Sequence, residues 1–213
     1  MMYRVTMILS LFCCSILIAG CSAIFSEQKW SENYALMEGV QATSPQMIDG
    51  SQTTVGETTF PAGSEMFAGS SPPSEVVITL PEKKIIRRIV IHANNLKTFD
   101  VYADKGGILA DSDWQMIADV KSVKTNPIKI SVMVPFPTDR IRLRVLSTED
   151  DAMLRRRNSA RYAGRVRVLG ENQRAPGKIR EIELYGYKTA AQVEAEEASE
   201  SREKELDDLL ELE

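Results

Sequence analysis

The densest chemistry in this sequence is basic. Residues 140–180 hold twelve Lys and Arg against four acids, and Arg155-Arg156-Arg157 is followed by Arg161, Arg165 and Arg167. Guanidinium groups grip phosphates and carboxylates through a planar fork of donors. Arg155, Arg156, Arg157 and Arg161 are therefore candidate ligand-binding residues for an anion, the alternative being a solvated loop. The rest of the chemical inventory is thin. His92 is the single histidine, and Cys13, Cys14 and Cys21 are the three cysteines. A His-dependent triad would have to run through His92, which ends an apolar run and reads as a hydrogen-bonded strand-end residue. No Gly-x-Ser-x-Gly turn is present. Asp150-Asp151 are adjacent acids in a loop, a spacing that defines no general-acid geometry. No catalytic residue is expected, and so no enzyme.

The N-terminus is an address. A start carrying Arg4 leads into sixteen uncharged, mostly apolar residues, 5–20, and then Cys21. That run is marginal for a bilayer span of about 20 residues and well sized for a signal peptide. Leu17-Ile18-Ala19-Gly20-Cys21 resembles the bacterial lipoprotein signal, in which small residues precede a cysteine that is lipidated and becomes the first residue. An ordinary signal peptide or an uncleaved anchor are the alternatives. The resemblance implies residues 1–20 as signal, lipidation at Cys21, residues 21–32 as linker, and attachment to a bacterial envelope membrane. Ser22 after the cysteine points to the outer membrane. Cys13 and Cys14 would leave with the signal, so the mature chain would have no thiol to form an internal disulfide.

Charge is segregated. Residues 189–213 carry ten acids and two bases, whereas residues 21–188 carry 23 bases and 20 acids. An exported chain of net negative charge is a poor nucleic-acid binder. The acidic tail has helix-forming composition over 194–213, with Leu206, Leu209 and Leu210 on one face and Glu200 spaced to pair with Lys204.

Positioning falls to a series of strands. Short alternating or β-branched runs are expected as strands over 75–80, 85–92, 97–103, 114–120, 128–134, 140–146 and 178–187. Pro81, Asn94-Asn95, Gly106-Gly107, Asn126-Pro127 and Pro135 with Pro137 punctuate them. Arg140-Ile141-Arg142-Leu143-Arg144-Val145 alternates strictly, with arginines on one face and aliphatics on the other. Strands at this spacing without intervening helices predict an all-β sandwich or barrel followed by an acidic C-terminal helix.

The order of several segments adds a resemblance. Asn33-Tyr34-Ala35-Leu36 through Ala42-Thr43-Ser44 to Ile48-Asp49-Gly50 is similar to the opening of discoidin-type (coagulation-factor type C) domains. Val76–Pro81, Ile89-Val90-Ile91, Phe99–Ala103, Arg140–Leu143 and Ile182–Gly186 fit the family's later strands in order. The resemblance covers 33–188, interrupted by the Arg-rich insertion 147–177. It implies a galactose-binding-like jelly-roll β-sandwich and a structural calcium held by Asp49, Thr54, Glu181 and the Ser51 carbonyl. It also implies a packing role for Trp114. Trp30, Phe60, Phe67 and Tyr162 are candidates to stack on a sugar. The function expected is a non-catalytic envelope lipoprotein that binds carbohydrate or an anionic glycan. The alternative is an assembly lipoprotein that docks envelope proteins through its basic insertion and acidic tail.

Overall fold

Strand β8, Thr138–Thr148, alternates through most of its length between buried aliphatics and half-exposed arginines, so one of its faces must lie on a core. In the computed structural model that core is the filling of a jelly-roll sandwich. The structure describes residues 28–61, 72–106, 112–133, 136–154, 156 and 174–210. The chain divides into two units. The larger, Ser31–Tyr187, contains β1 (Gln41–Ala42), β2 (Gly56–Glu57), β3 (Ser74–Lys84), β4 (Arg88–Ala93), β5 (Leu96–Asp104), β6 (Trp114–Val120), β7 (Ile128–Ser131), β8 and β9 (Lys178–Tyr185). The smaller contains Lys29 and helix α1, Ala190–Leu210, joined by a Lys29–Glu197 ion pair.

The strands form two antiparallel sheets, one of five strands in the order β1-β3-β8-β5-β6 and one of four in the order β2-β9-β4-β7. Their inner faces meet through Val76, Ile78, Phe99, Val101, Ile141, Leu143 and Val145 from one sheet and Ile89, Ile91, Ile130, Ile179, Ile182 and Leu184 from the other. Burying each such side chain contributes roughly 1.5–3 kcal/mol.

Two strands depart from regular pairing. β3 runs through Pro81 instead of ending there; its partner β1 has already stopped, and the register on β8 shifts between Thr79 and Lys84. A proline that donates nothing is tolerated at such an irregular margin. In β9, His92 stands opposite Glu181 while Ala93 stands opposite Ile179, so Arg180 is an extra residue. This β-bulge turns both Ile179 and Ile182 into the core and re-aims the side chains between them.

The expected strand over 85–92 starts later, at Arg88; Ile86 is buried in the core outside a strand. The helix forms, but among the described residues Glu200 and Lys204 do not pair, and the tail's ion pairs are Lys29–Glu197 and Lys188–Glu196. Among the described residues, no helix is long and apolar enough to cross a membrane. Cys21 and the segment before it lie outside the described residues.

Candidate functional site

Two clusters carry the polar chemistry of the sandwich. The first is built on a one-turn 3-10 helix, Pro45–Met47, which delivers the chain to Asp49-Gly50. Gly50 adopts φ 76°, open to glycine without strain, and so reverses the chain. One Asp49 carboxylate oxygen accepts the Ser51 N–H at 2.9 Å and the other accepts the Thr54 hydroxyl at 2.7 Å. The Thr54 oxygen also lies 3.2 Å from the Ser51 carbonyl and 3.5 Å from that of Gln46.

Glu181, at the β9 bulge, closes this cluster. It is 3% exposed, and neither carboxylate oxygen has a hydrogen-bond partner among the described residues. Burial raises its pKa from 4.5 to about 7, and the Asp49 charge adds to the rise; the Gly50 backbone amide, near the carboxylate but outside hydrogen-bonding geometry, opposes it. An orphaned buried carboxylate beside a second carboxylate, a hydroxyl and two carbonyls is a set of hard oxygen donors. Three or more His, Cys, Asp or Glu side chains do not converge on a metal-binding point among the described residues. Calcium, which draws much of its coordination from carbonyls and hydroxyls, fits the donors present.

The second cluster sits at the end of the sandwich where the turn at 94–95, strand β2 and the residues flanking the insertion meet. Asp151 is 5% exposed and accepts from the Thr148 N–H (3.0 Å), the Thr148 hydroxyl (2.9 Å) and the Ala175 N–H (2.8 Å). Buried Asn95 donates to Asp150 at 2.9 Å and to the Pro176 carbonyl at 3.2 Å, and accepts from the Lys178 N–H at 2.6 Å. The Asn95 amide holds the Asp150 carboxyl below its ordinary pKa, and the Lys178 ammonium at 3.3 Å adds to the effect. Between these groups runs an open groove of about 600 Å³ lined by Glu57, Asp150, Met153, Leu154, Ala175, Pro176 and Lys178. Its lining is mostly apolar, with the Glu57 and Asp150 carboxylates and the Lys178 ammonium among it.

The structure thus gathers Asp49, Ser51 and Thr54 at one turn with Glu181 beside them. Arg156 is exposed in the helical stretch after β8, whereas Arg155, Arg157, Arg161, Phe67 and Tyr162 lie outside the described residues. Phe60 is 40% exposed. His92 lies 2.7 Å from Glu183, which in turn accepts from the Tyr185 hydroxyl at 2.7 Å. That is the hydrogen-bonded strand-end role expected for it.

Trp114 requires a correction. It is half-buried on the outer face, where the Arg142 and Arg140 guanidiniums lie 4.4 and 5.1 Å from its ring centroid. The arginine alternation in β8 was the sequence signal for that face. Asp150 and Asp151, silent as a dipeptide, organise the base of the insertion; only the return of residues 174–178 to the same place reveals their use.

No family model and no curated protein matches the sequence. Solved structures similar to this chain include chitosan-binding module 1 of a chitosanase/glucanase from Paenibacillus sp. IK-5, at 13% identity and a TM-score of 0.49, covering 73% of this chain and 100% of that one. The family 32 carbohydrate-binding module of C. perfringens NanJ, solved with galactose, gives 14% identity and a TM-score of 0.47, with 74% and 100% coverage. A pectin-binding carbohydrate-binding module gives 17% and 0.41, with 71% and 90% coverage.

Proposed function

We propose that this chain is a non-catalytic glycan-binding domain, carried by a lipid on Cys21 at a bacterial envelope membrane and braced by a structural calcium. The observation that carries the binding role is the groove at the end of the sandwich. Met153, Leu154 and Pro176 offer apolar lining for the C–H face of a sugar, and Glu57, Asp150 and Lys178 offer acceptors and donors for its hydroxyls. Asn95 and Asp151 fix the backbone on both sides, so the polar groups are preorganised before a ligand arrives. A groove this open suits a segment of a longer chain better than one enclosed monosaccharide.

Calcium would be held by the Asp49 and Glu181 carboxylates, the Thr54 hydroxyl and the Ser51 carbonyl, with Gln46 offering a second carbonyl. Its contribution is structural: it would tie the Asp49-Gly50 turn to β9.

The test is a binding panel that includes chitosan and galactose oligosaccharides, chosen after the chitosan-binding and galactose-bound modules. Asp150→Asn and Lys178→Ala are each expected to weaken the best binder by about tenfold, the cost of roughly one hydrogen bond to a charged group. Wild-type binding to no glycan, or binding unchanged in both variants, would remove this reading. Lipidation is tested separately, by the mass of the mature N-terminal peptide in wild type and Cys21→Ser.

A further inference from the structure

We infer that Arg142, set between Tyr102 and Trp114 on the outer face of the five-stranded sheet, anchors a second binding site, for a carboxylated polysaccharide. This site is separate from the groove and does not depend on it. Three arginines of β8 point outward, and cross-strand register distinguishes them. Arg140 is neutralised by Asp104, 3.2 Å away. Arg144 stands opposite Glu75 on one side and Asp100 on the other. Arg142 stands opposite Val77 and Tyr102, with no carboxylate across from it on either strand. Its Nε is buried and has no partner among the described residues. Its guanidinium is 4.4 Å from the Trp114 ring centroid and 5.0 Å from that of Tyr102.

Stacking holds the guanidinium plane in place, so little rotamer entropy remains to be lost when its fork meets a planar carboxylate. Tyr102, Trp114 and Met116, the last 48% exposed opposite Tyr102, give a neighbouring apolar surface for the sugar ring bearing that carboxylate. The face is an open sheet rather than a cavity, so a single sugar would bury little area on it, whereas an extended chain can lie along it. Glu75, Asp100 and Asp119 share the sheet and repel a densely charged polyanion. Carboxylates spaced by sugar rings meet Arg142 without meeting those acids at every step.

The chain has two tryptophans, so Trp30→Phe in the detergent-solubilised full-length protein leaves Trp114 as sole reporter. Titration with a galacturonic acid tetramer is expected to change its emission saturably, with affinity falling as salt rises. Arg142→Gln in that background is expected to weaken binding by about tenfold, and Arg142→Lys, which keeps the charge but loses the fork, by about fivefold. Lys124→Ala, which removes one exposed positive charge outside both sites, is expected to bind as well as its parent. No saturable emission change, full affinity in a folded Arg142→Lys protein, equal loss in Lys124→Ala, or tighter binding of dextran sulfate than of the tetramer would each overturn the assignment. Failure here leaves the groove reading standing, because that is tested with chitosan and galactose oligosaccharides and rests on Asp150 and Lys178.

Discussion

The buried carboxylate of Asp151 accepts the backbone N–H of Ala175 at 2.8 Å, across 24 positions of sequence. The same carboxylate holds the backbone N–H and the hydroxyl of Thr148. The two flanks of the insertion are therefore tied together at Asp151, as they also are through Asn95 and the Asp150–Lys178 ion pair. Asp151→Ala strands three donors in a buried setting and is expected to cost about 3 kcal/mol. Urea unfolding measures it. A loss under about 1 kcal/mol would mean that the two flanks hold their places without this clamp.

Glu181 makes stability depend on pH. Its carboxyl titrates at about 7 in the folded chain against 4.5 ordinarily, so the folded state binds the extra proton between those values. The stabilisation from that proton is complete below pH 4.5 and is lost as pH rises through 7. In chelator, wild type is expected to lose about 3 kcal/mol across this window, and Glu181→Gln to lose far less. Calcium should reverse the slope, because the cation takes the ionised carboxylate, and its effect on the melting temperature should grow with pH. Asp49→Ala and Glu181→Gln should abolish the calcium response. A wild-type melting temperature indifferent to calcium at pH 8 would dismiss the metal.

Gly177 has no room for a methyl group. A Cβ there would lie 2.8 Å from Val145 Cγ2 and 2.9 Å from Leu96 Cδ2, both packed in or against the core. Its N–H also donates to Thr58 at 2.7 Å. Gly177→Ala is expected to destabilise by about 1–3 kcal/mol through overpacking and to displace the groove lining at Pro176 and Lys178. Calorimetry and the glycan panel read the two effects separately.

The sidedness of the large sheet gives a further check. Phe99 is fully buried between the sheets, and its replacement by Ala should cost about 3–5 kcal/mol. Met116 projects from the opposite face of the same sheet, and Met116→Ala should stay within about 0.5 kcal/mol. Comparable losses from both would contradict the two-layer arrangement.

The strands and their faces were legible in the sequence because side-chain alternation has a period of two and is a local property. Arg140 to Val145 announced both a core face and a charged face, and β6 lies over the residues expected, Trp114–Val120. The irregular spacing of the buried residues Ile179, Ile182 and Leu184 in β9 has a cause that no local pattern shows. A bulge exists only relative to a partner strand, here β4, 85 or more positions away in the chain. The same limit hid the fate of Trp114, whose neighbours Arg140 and Arg142 reach it only after β5 has been laid between β6 and β8. Asp49 and Thr54 are close in sequence and could be read as one turn. That Glu181 reaches it buried and unpartnered was fixed by β9 register, and that Asp151 meets Ala175 was fixed by the closure of a long excursion. Local periodicity set the sandwich; long-range pairing, in which one residue of slip moves every side chain to the other face, chose which charges meet.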